Sequence, residues 1–312
     1  MTADPLRRLL PTLLPVTLGL VAIVLVVSET SRPAAVLNML RPWGEIGALA
    51  AMMTAIILTG GIDLSVGSII ALASVTFGLS WQAGWSPAVA SGAALAVGLL
   101  AGAINGTLVV AGIAPLVATL ATMAFYAGLA LAISRATRVS GLPEAFTALG
   151  QESWLGLPNQ WVLFLIVWLA ALVVVHHTRF GRYLYAIGEN PLAAEFAAVP
   201  VRKVQWWLYT ASGGVAALVA LVYTARGGAA VPDAGAGLEL QAIACVVVGG
   251  TRVTGGLGGL GRTLLGVVVM ALLDVGLQFA TPNAYARLLL VGLLVIGVAV
   301  WNERWSTATS EA

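Results

Sequence analysis

Apolar stretches separated by short polar interruptions run along almost the whole chain. Stretches able to form bilayer-spanning helices, which need ~20 residues or fewer where a helix is short or broken, fall at 11–28, 44–59, 66–82, 87–111, 115–134, 159–177, 204–225, 237–250, 259–280 and 285–301. The pattern predicts an all-α, polytopic membrane protein of about ten transmembrane or broken helices, because a spanning segment must satisfy its own backbone hydrogen bonds. The first run follows Arg7 and Arg8 and extends from Leu9 to Val27. It exceeds the ~7–15 residues of a signal-peptide core, so an uncleaved first helix is expected. The chain reads as a single membrane domain over 1–312, with no soluble domain, long linker or repetitive tract.

Composition sharpens the picture. Of 312 residues, 60% are hydrophobic and 9% charged, and the mean hydropathy is +0.98. Soluble domains carry ~25% charged residues. Lys203 is the lone lysine and the net charge is +2, so no nucleic-acid partner is expected. Cys245 stands alone, which excludes an internal disulfide and a cysteine-rich metal site. His176 and His177 are too few and too poorly spaced for zinc.

Orientation follows the 15 Lys and Arg residues. With an internal N-terminus, the inner side holds Arg7, Arg8, Arg179, Arg182, Arg202, Lys203, Arg252, Arg262 and Arg304. The outer side holds Arg32, Arg41, Arg135, Arg138, Arg226 and Arg287. The cluster from Arg179 to Lys203 carries most of the bias. An even number of spans returns the C-terminus, with Trp301 and Trp305 as interfacial anchors, to the inside.

Gly60-Gly61-Ile62-Asp63-Leu64-Ser65-Val66-Gly67-Ser68 interrupts an apolar run. An ionised carboxylate costs at least ~2.5 kcal/mol at a helix centre, so its presence needs a reason. Gly60 and Gly61 can break the incoming helix, and Asp63 or Ser65 can cap the next. Two readings follow: a polar turn at the membrane surface with Asp63 as a plain cap, or a broken helix beside a transport path. The run from Ile56 to Gly67 has an echo from Val246 to Gly256: an apolar run, a Gly-Gly pair, a polar hinge, a further glycine. Matching interruptions point to a pathway; glycine-rich segments also serve close packing.

Other polar groups inside spans should face the bundle interior or water. These are Asn105, Gln241 one turn before Cys245, and Asp274 one turn before Gln278. Hydrogen bonding between helices is the plainer alternative. Asp274 needs a partner, and Arg262 and Arg287 flank its hairpin. The candidate pathway residues are Gly60, Gly61, Asp63, Ser65, Gly67, Asn105, Gln241 and Asp274.

Two loops are long. Residues 135–158, outside in this orientation, contain Pro143 and Pro158 and are expected to form a small external platform. Residues 178–203 lie inside. There Asn190 is a good N-cap, Pro191 suits the first helical position, alanines favour helix, and Pro200 stops it. A helix over 190–199 is too short to persist alone. It must rest on lipid headgroups or dock on a cytoplasmic partner. Leu192, Phe196 and Val199 share one face, with Glu195 on its flank.

No G-x-x-x-x-G-K-[ST] phosphate loop, nucleophile arrangement or H-E-x-x-H helix occurs in the sequence. A membrane-embedded enzyme is not expected.

The 60–68 segment resembles the hallmark of permease subunits of ribose/xylose-type ABC importers. Pro115–Thr122, Gly181 through Val201, and Gly249 through Gly266 follow in that family's order. The resemblance implies a permease in the bacterial inner (plasma) membrane, surrounded by lipid and paired with a second permease chain, identical or paralogous. A periplasmic sugar-binding protein would deliver a monosaccharide: a pentose, hexose, deoxy sugar or autoinducer-2-like compound. A separate cytoplasmic ATPase would hold ATP and Mg, leaving this chain without a cofactor. The 178–203 segment would couple to that ATPase through Gly188, Glu189, Asn190, Leu192, Ala194, Glu195, Phe196 and Val199. Departures stand at Glu189 and Ala198, where the family more often has glycine, and at Arg252 and Leu257. The alternatives are a related permease for branched-chain amino acids or nucleosides, and a self-contained secondary transporter.

Overall fold

The computed structural model describes residues 33–281 and scattered positions from 283 to 297. The expected span at 11–28 lies outside the described residues, and the one at 285–301 largely so. The described elements are α1 (Pro33–Leu58), α2 (Val66–Gln82), α3 (Pro87–Val110), α4 (Pro115–Ser134), α5 (Glu144–Gln151), β1 (Ser153–Trp154), β2 (Leu157–Pro158), α6 (Asn159–His177), α7 (Arg179–Glu189), α8 (Pro191–Phe196), α9 (Val201–Gly227), α10 (Leu238–Val248) and α11 (Leu260–Ala280).

The bundle is arranged around α9, whose 27 residues extend about 40 Å at 1.5 Å per residue. Its most extensive partner is α3. Gly98, Gly102 and Gly106 recur every fourth residue of α3 and put their backbone against α9. A methyl group at Gly102 would run into the Tyr209 carbonyl, and one at Gly98 into that of Gly213. Small residues at this spacing let two backbones approach closely. On one side α2 packs on α3, α4 and α9; on the other α1 packs on α6, α10 and α11. α1 and α2 hardly touch each other, so the chain changes groups through residues 59–65.

Polar clasps tie the groups together. Arg226, in the last turn of α9, donates to both carboxylate oxygens of Glu45 in α1, at 2.8 and 2.9 Å. Thr54 donates to Thr263 across α1 and α11 at 2.8 Å. Thr224 donates to Ser74 across α9 and α2 at 2.7 Å. Leu100, Leu120, Phe125, Ile166 and Leu169 point outward and are exposed. Such apolar outer faces suit a lipid environment, where helices gain nothing by hiding them.

Among the described helices, α3, α4, α6, α9 and α11 are long and apolar enough to cross a membrane. α10 is not. Its 11 residues cover about 16 Å, roughly half of a ~30 Å hydrocarbon core. The missing depth is covered by irregular chain from 228 to 237. Side chains built at Gly78 and Gly67 of α2 would meet Ala230 and the Gly235 carbonyl of this segment, so the loop runs along α2. Ala229, Ala230 and Ala234 are buried, as non-helical backbone at membrane depth requires. The segment expected at 237–250 is therefore a short helix preceded by an irregular stretch that runs along α2.

Residues 135–158 form α5 and the β1–β2 hairpin. Phe146 of α5 stacks on Phe77 of α2 with ring centroids 3.8 Å apart. Val139 exchanges both backbone hydrogen bonds with Ala230, at 2.8 and 2.9 Å. This platform caps the ends of α2 and α9.

The 178–203 segment departs from expectation. Residues 179–189, expected as loop, form α7, with Gly181, Leu184 and Ile187 buried. The next helix starts as predicted: Asn190 accepts from the Ala193 N–H at 3.0 Å, and Pro191 follows it. It ends at Phe196, well before Pro200. The Ala198 N–H bonds to the Glu195 carbonyl and that of Val199 to the Ala194 carbonyl, a paired closure that stops a helix. Ala198 adopts the left-handed conformation, φ 59°. Val199 consequently turns in against the core, while Leu192 and Phe196 stay 69% and 93% exposed. The expected three-residue face is a two-residue one.

Candidate functional site

Asp63 sits fully buried where α2, α3, α4 and α9 meet. Its Oδ1 accepts from the backbone N–H of Ser65 at 3.0 Å and from the Ser65 hydroxyl at 2.6 Å. Its Oδ2 accepts from Ser212 of α9 at 3.0 Å. Asn105 of α3 donates to the Ser65 hydroxyl at 2.6 Å, and Tyr126 of α4 donates to Asn105 at 3.2 Å. Thr119 of α4 donates to the Ile62 carbonyl at 3.1 Å. Ser65 occupies the N-cap position of α2 but makes no side-chain cap. Asp63 holds a turn, not a helix end, so the capping expectation is corrected. Asp63, Ser65 and Asn105 form a closed knot between four helices, and nothing in it is open to solvent.

The two halves of the sequence echo have the same geometry. At the end of α1, Gly60 N–H bonds to the Ile57 carbonyl and Gly61 N–H to that of Ile56. At the end of α10, Gly250 bonds to Val247 and Thr251 to Val246 in the same way. Gly60 and Gly250 both have positive φ, 76° and 85°, where a side chain is strained. The two hinges touch: the Gly256 N–H donates to the Leu58 carbonyl at 3.1 Å. Gly188, at the end of α7, is wedged between Leu58 and Gly256 with no room for a side chain. Glu189 lies beside Gly256. The Tyr185 hydroxyl donates to the Gly258 carbonyl at 3.2 Å; burial raises its pKa, offset in part by Arg262, and it stays a neutral donor. α7 is thus seated on both hinges. Ala194 is buried at the base of α8, and Glu195 is exposed.

The other candidates lie apart from this knot. Gln241 faces outward from α10, while Cys245 one turn on is buried. Asp274 accepts from Trp43 at 3.2 Å and from Gln278 at 3.0 Å. Arg262 and Arg287, the expected partners, bond instead to the carbonyls of Gly250 and Thr281. Sequence reasoning missed Tyr126 and Ser212, which carry no signal beyond being polar inside a span. It also missed Glu45–Arg226, whose signal was opposite charge at two span ends on the same side.

One cavity, about 270 Å³, lies between α2, α4 and the irregular stretch before α10. Gly67, Ser68 and Ala71 form one wall, Ala127 of α4 another, and Pro232 and Glu239 a third. Gly67 is thus the predicted pathway residue that lines a cavity.

Comparison with known proteins places this architecture. The family described as "Branched-chain amino acid transport system / permease component" matches residues 36–298. The chain belongs to this permease family. It is a multi-pass membrane permease, the translocating rather than the ATP-hydrolysing component of a transport system that includes partner subunits. This permease is 37% identical over 298 residues to the ribose import permease protein RbsC of Bacillus subtilis (strain 168), covering 93% of this chain and 92% of that one. It is 38% identical over 261 residues to the autoinducer 2 import system permease protein LsrD of Klebsiella pneumoniae subsp. pneumoniae, covering 81% and 79%. No solved structure gives a significant match.

Proposed function

We propose that this chain is the inner-membrane permease subunit of an ABC importer for a monosaccharide or a related furanosyl compound. The observation that carries the reading is the 37% identity to a ribose import permease across 93% of the chain. ATP and Mg belong to a separate cytoplasmic ATPase, and a periplasmic binding protein delivers the sugar. A second permease chain completes the path.

The exposed Leu192 and Phe196 on α8 supply an apolar surface for the ATPase. From there α7 leads directly to the paired hinges at Gly60 and Gly250, so docking and pathway are mechanically joined. The Asp63 knot fixes α2 relative to α3, α4 and α9, which lets the hinge move against a rigid unit.

The test is uptake by proteoliposomes holding the permease, its ATPase and its binding protein. Labelled ribose should accumulate only with ATP inside. Accumulation of leucine instead would favour the amino-acid reading that the family description suggests. Ribose uptake by the permease alone, without ATPase, would make it a secondary transporter.

A further inference from the structure

The inner ends of α3 and α9 carry a group of side chains that neither the bundle nor the hinges use. Arg202 and Lys203 stand in the first turn of α9, at the end that the charge bias places inside, and both are exposed. Neither meets a carboxylate among the described residues, whose one ion pair joins Arg226 to Glu45. Cations at the start of a helix oppose its dipole, so α9 gains nothing from them. Two adjacent cations with no acidic neighbour attract an anion from outside the chain. A topology signal would account for these charges by themselves, but not for the two indoles above them.

Trp206 and Trp207 follow four residues on, each one helical turn above one of the cations and on its face. The Trp206 indole N–H donates to the Thr107 hydroxyl of α3 at 3.1 Å, and Trp206 lies over Gly106, where a side chain would crowd it. Trp207 stands edge-on to Trp206, with ring centroids 4.9 Å apart and planes at 85°, yet is 60% exposed. The pair is thus fixed to α3 while Trp207 stays open. Depth follows from length. α9 extends about 40 Å against a ~30 Å hydrocarbon core. Its first turn therefore lies among headgroups, and Trp207, about 6 Å further along, at their boundary with the acyl chains. The same face continues through Ala211 to Leu218, both exposed, as apolar surface for lipid tails. A soluble partner does not reach this depth, which decides for a lipid over an acidic protein surface.

We propose that the inner ends of α3 and α9 form a binding site for an anionic phospholipid of the inner leaflet. Its phosphate lies against Arg202 and Lys203, its glycerol region against Trp207, and an acyl chain along Ala211 and Leu218.

The experiment titrates phosphatidylglycerol into the permease complex purified in detergent with phosphatidylcholine, and counts bound lipid by native mass spectrometry. Wild type should hold phosphatidylglycerol in preference to phosphatidylcholine. Arg202→Gln combined with Lys203→Gln should weaken that preference about thirtyfold, the share of two basic residues at a membrane surface. Arg135→Gln combined with Arg138→Gln removes the same charge from the outer side and should leave the preference unchanged. Trp207→Ala alters no charge and should lower phosphatidylglycerol retention several-fold. Internal labelling of Thr178→Cys in each background reports correct insertion. If the inner double variant inserts wrongly, Trp207→Ala, which keeps the orientation signal, decides alone.

Equal retention of the two lipids by wild type overturns the proposal. Loss of the preference in the outer double variant does the same, because net charge would then account for it. Unaltered retention in Trp207→Ala removes the site and leaves only diffuse attraction. Retained phosphatidylglycerol with lost ATPase copurification in the inner double variant would assign both cations to the ATPase, and that too overturns the proposal.

Discussion

At the scale of single residues, burial and partner count decide what each polar group does. Asp63 accepts three hydrogen bonds inside the bundle. Asp63→Ala should strand these donors, costing ~1–3 kcal/mol for each buried donor left unmade. Asp63→Asn keeps one acceptor, so apparent melting temperatures in detergent should rank wild type above Asn above Ala. Equal values for all three would show that the knot contributes no stability. Arg226 and Glu45 form a bidentate pair in which the Glu45 side chain is 1% exposed. Arg226→Ala should therefore destabilise by ~3–5 kcal/mol, because an uncompensated buried charge remains. The pair Glu45→Met with Arg226→Met should be much milder. At Ala198, φ 59° puts a Cβ where ~1–2 kcal/mol of strain arises. Ala198→Gly should recover part of this as a higher melting temperature, with no gain if the turn relaxes in the membrane. The Asp63–Ser212 and Asn105–Tyr126 partnerships were not legible in the sequence, since each joins residues far apart along the chain.

At the scale of elements, close packing and interruption govern. The α3 stripe of Gly98, Gly102 and Gly106 could have been read from its four-residue spacing, yet its partner could not. Gly102→Ala should force α3 from α9 and cost ~1–3 kcal/mol of overpacking. Gly92→Ala, where nothing lies within 4 Å, should stabilise by up to ~1 kcal/mol through helix propensity. Comparing their expression and thermal stability checks the α3–α9 interface; equal behaviour would remove it. The hinges at Gly60 and Gly250 were visible as a repeated string, because a paired helix closure favours a glycine at a fixed offset. The α7 helix was not foreseen: Arg179, Arg182 and Glu189 make it polar on one face. Its helical state depends on burying Leu184 and Ile187 beneath the bundle.

At the scale of the whole molecule, α7 joins the exposed tip of α8 to the paired hinges at Gly60 and Gly250. The α8 surface is small and apolar at its tip. Truncating a large anchor in a desolvated interface can cost more than ~2 kcal/mol. Phe196→Ala should therefore weaken or abolish ATPase copurification while the permease still inserts. Unchanged copurification would instead place α8 on lipid headgroups. Introduced cysteines check orientation independently: Ser153→Cys in β1 should label from outside, and Thr178→Cys, just before α7, from inside. Labelling of both from one side would invalidate the charge-based orientation.

Hydropathy alone determined that this chain is helical and crosses a membrane repeatedly, because lipid leaves an unpaired backbone no other solution. Local chemistry determined the hinge at Gly60 and the Asn190-Pro191 helix start, since caps and turns depend on neighbours in sequence. The tertiary structure decided the rest. It sealed Asp63 in a knot of four helices, shortened α10 to a half-helix, turned Val199 inward and Gln241 outward, and packed the Glu239 carboxylate against Gly67. Each of these depends on which segments meet, and in a chain this apolar nearly every segment is equally able to pack on any other.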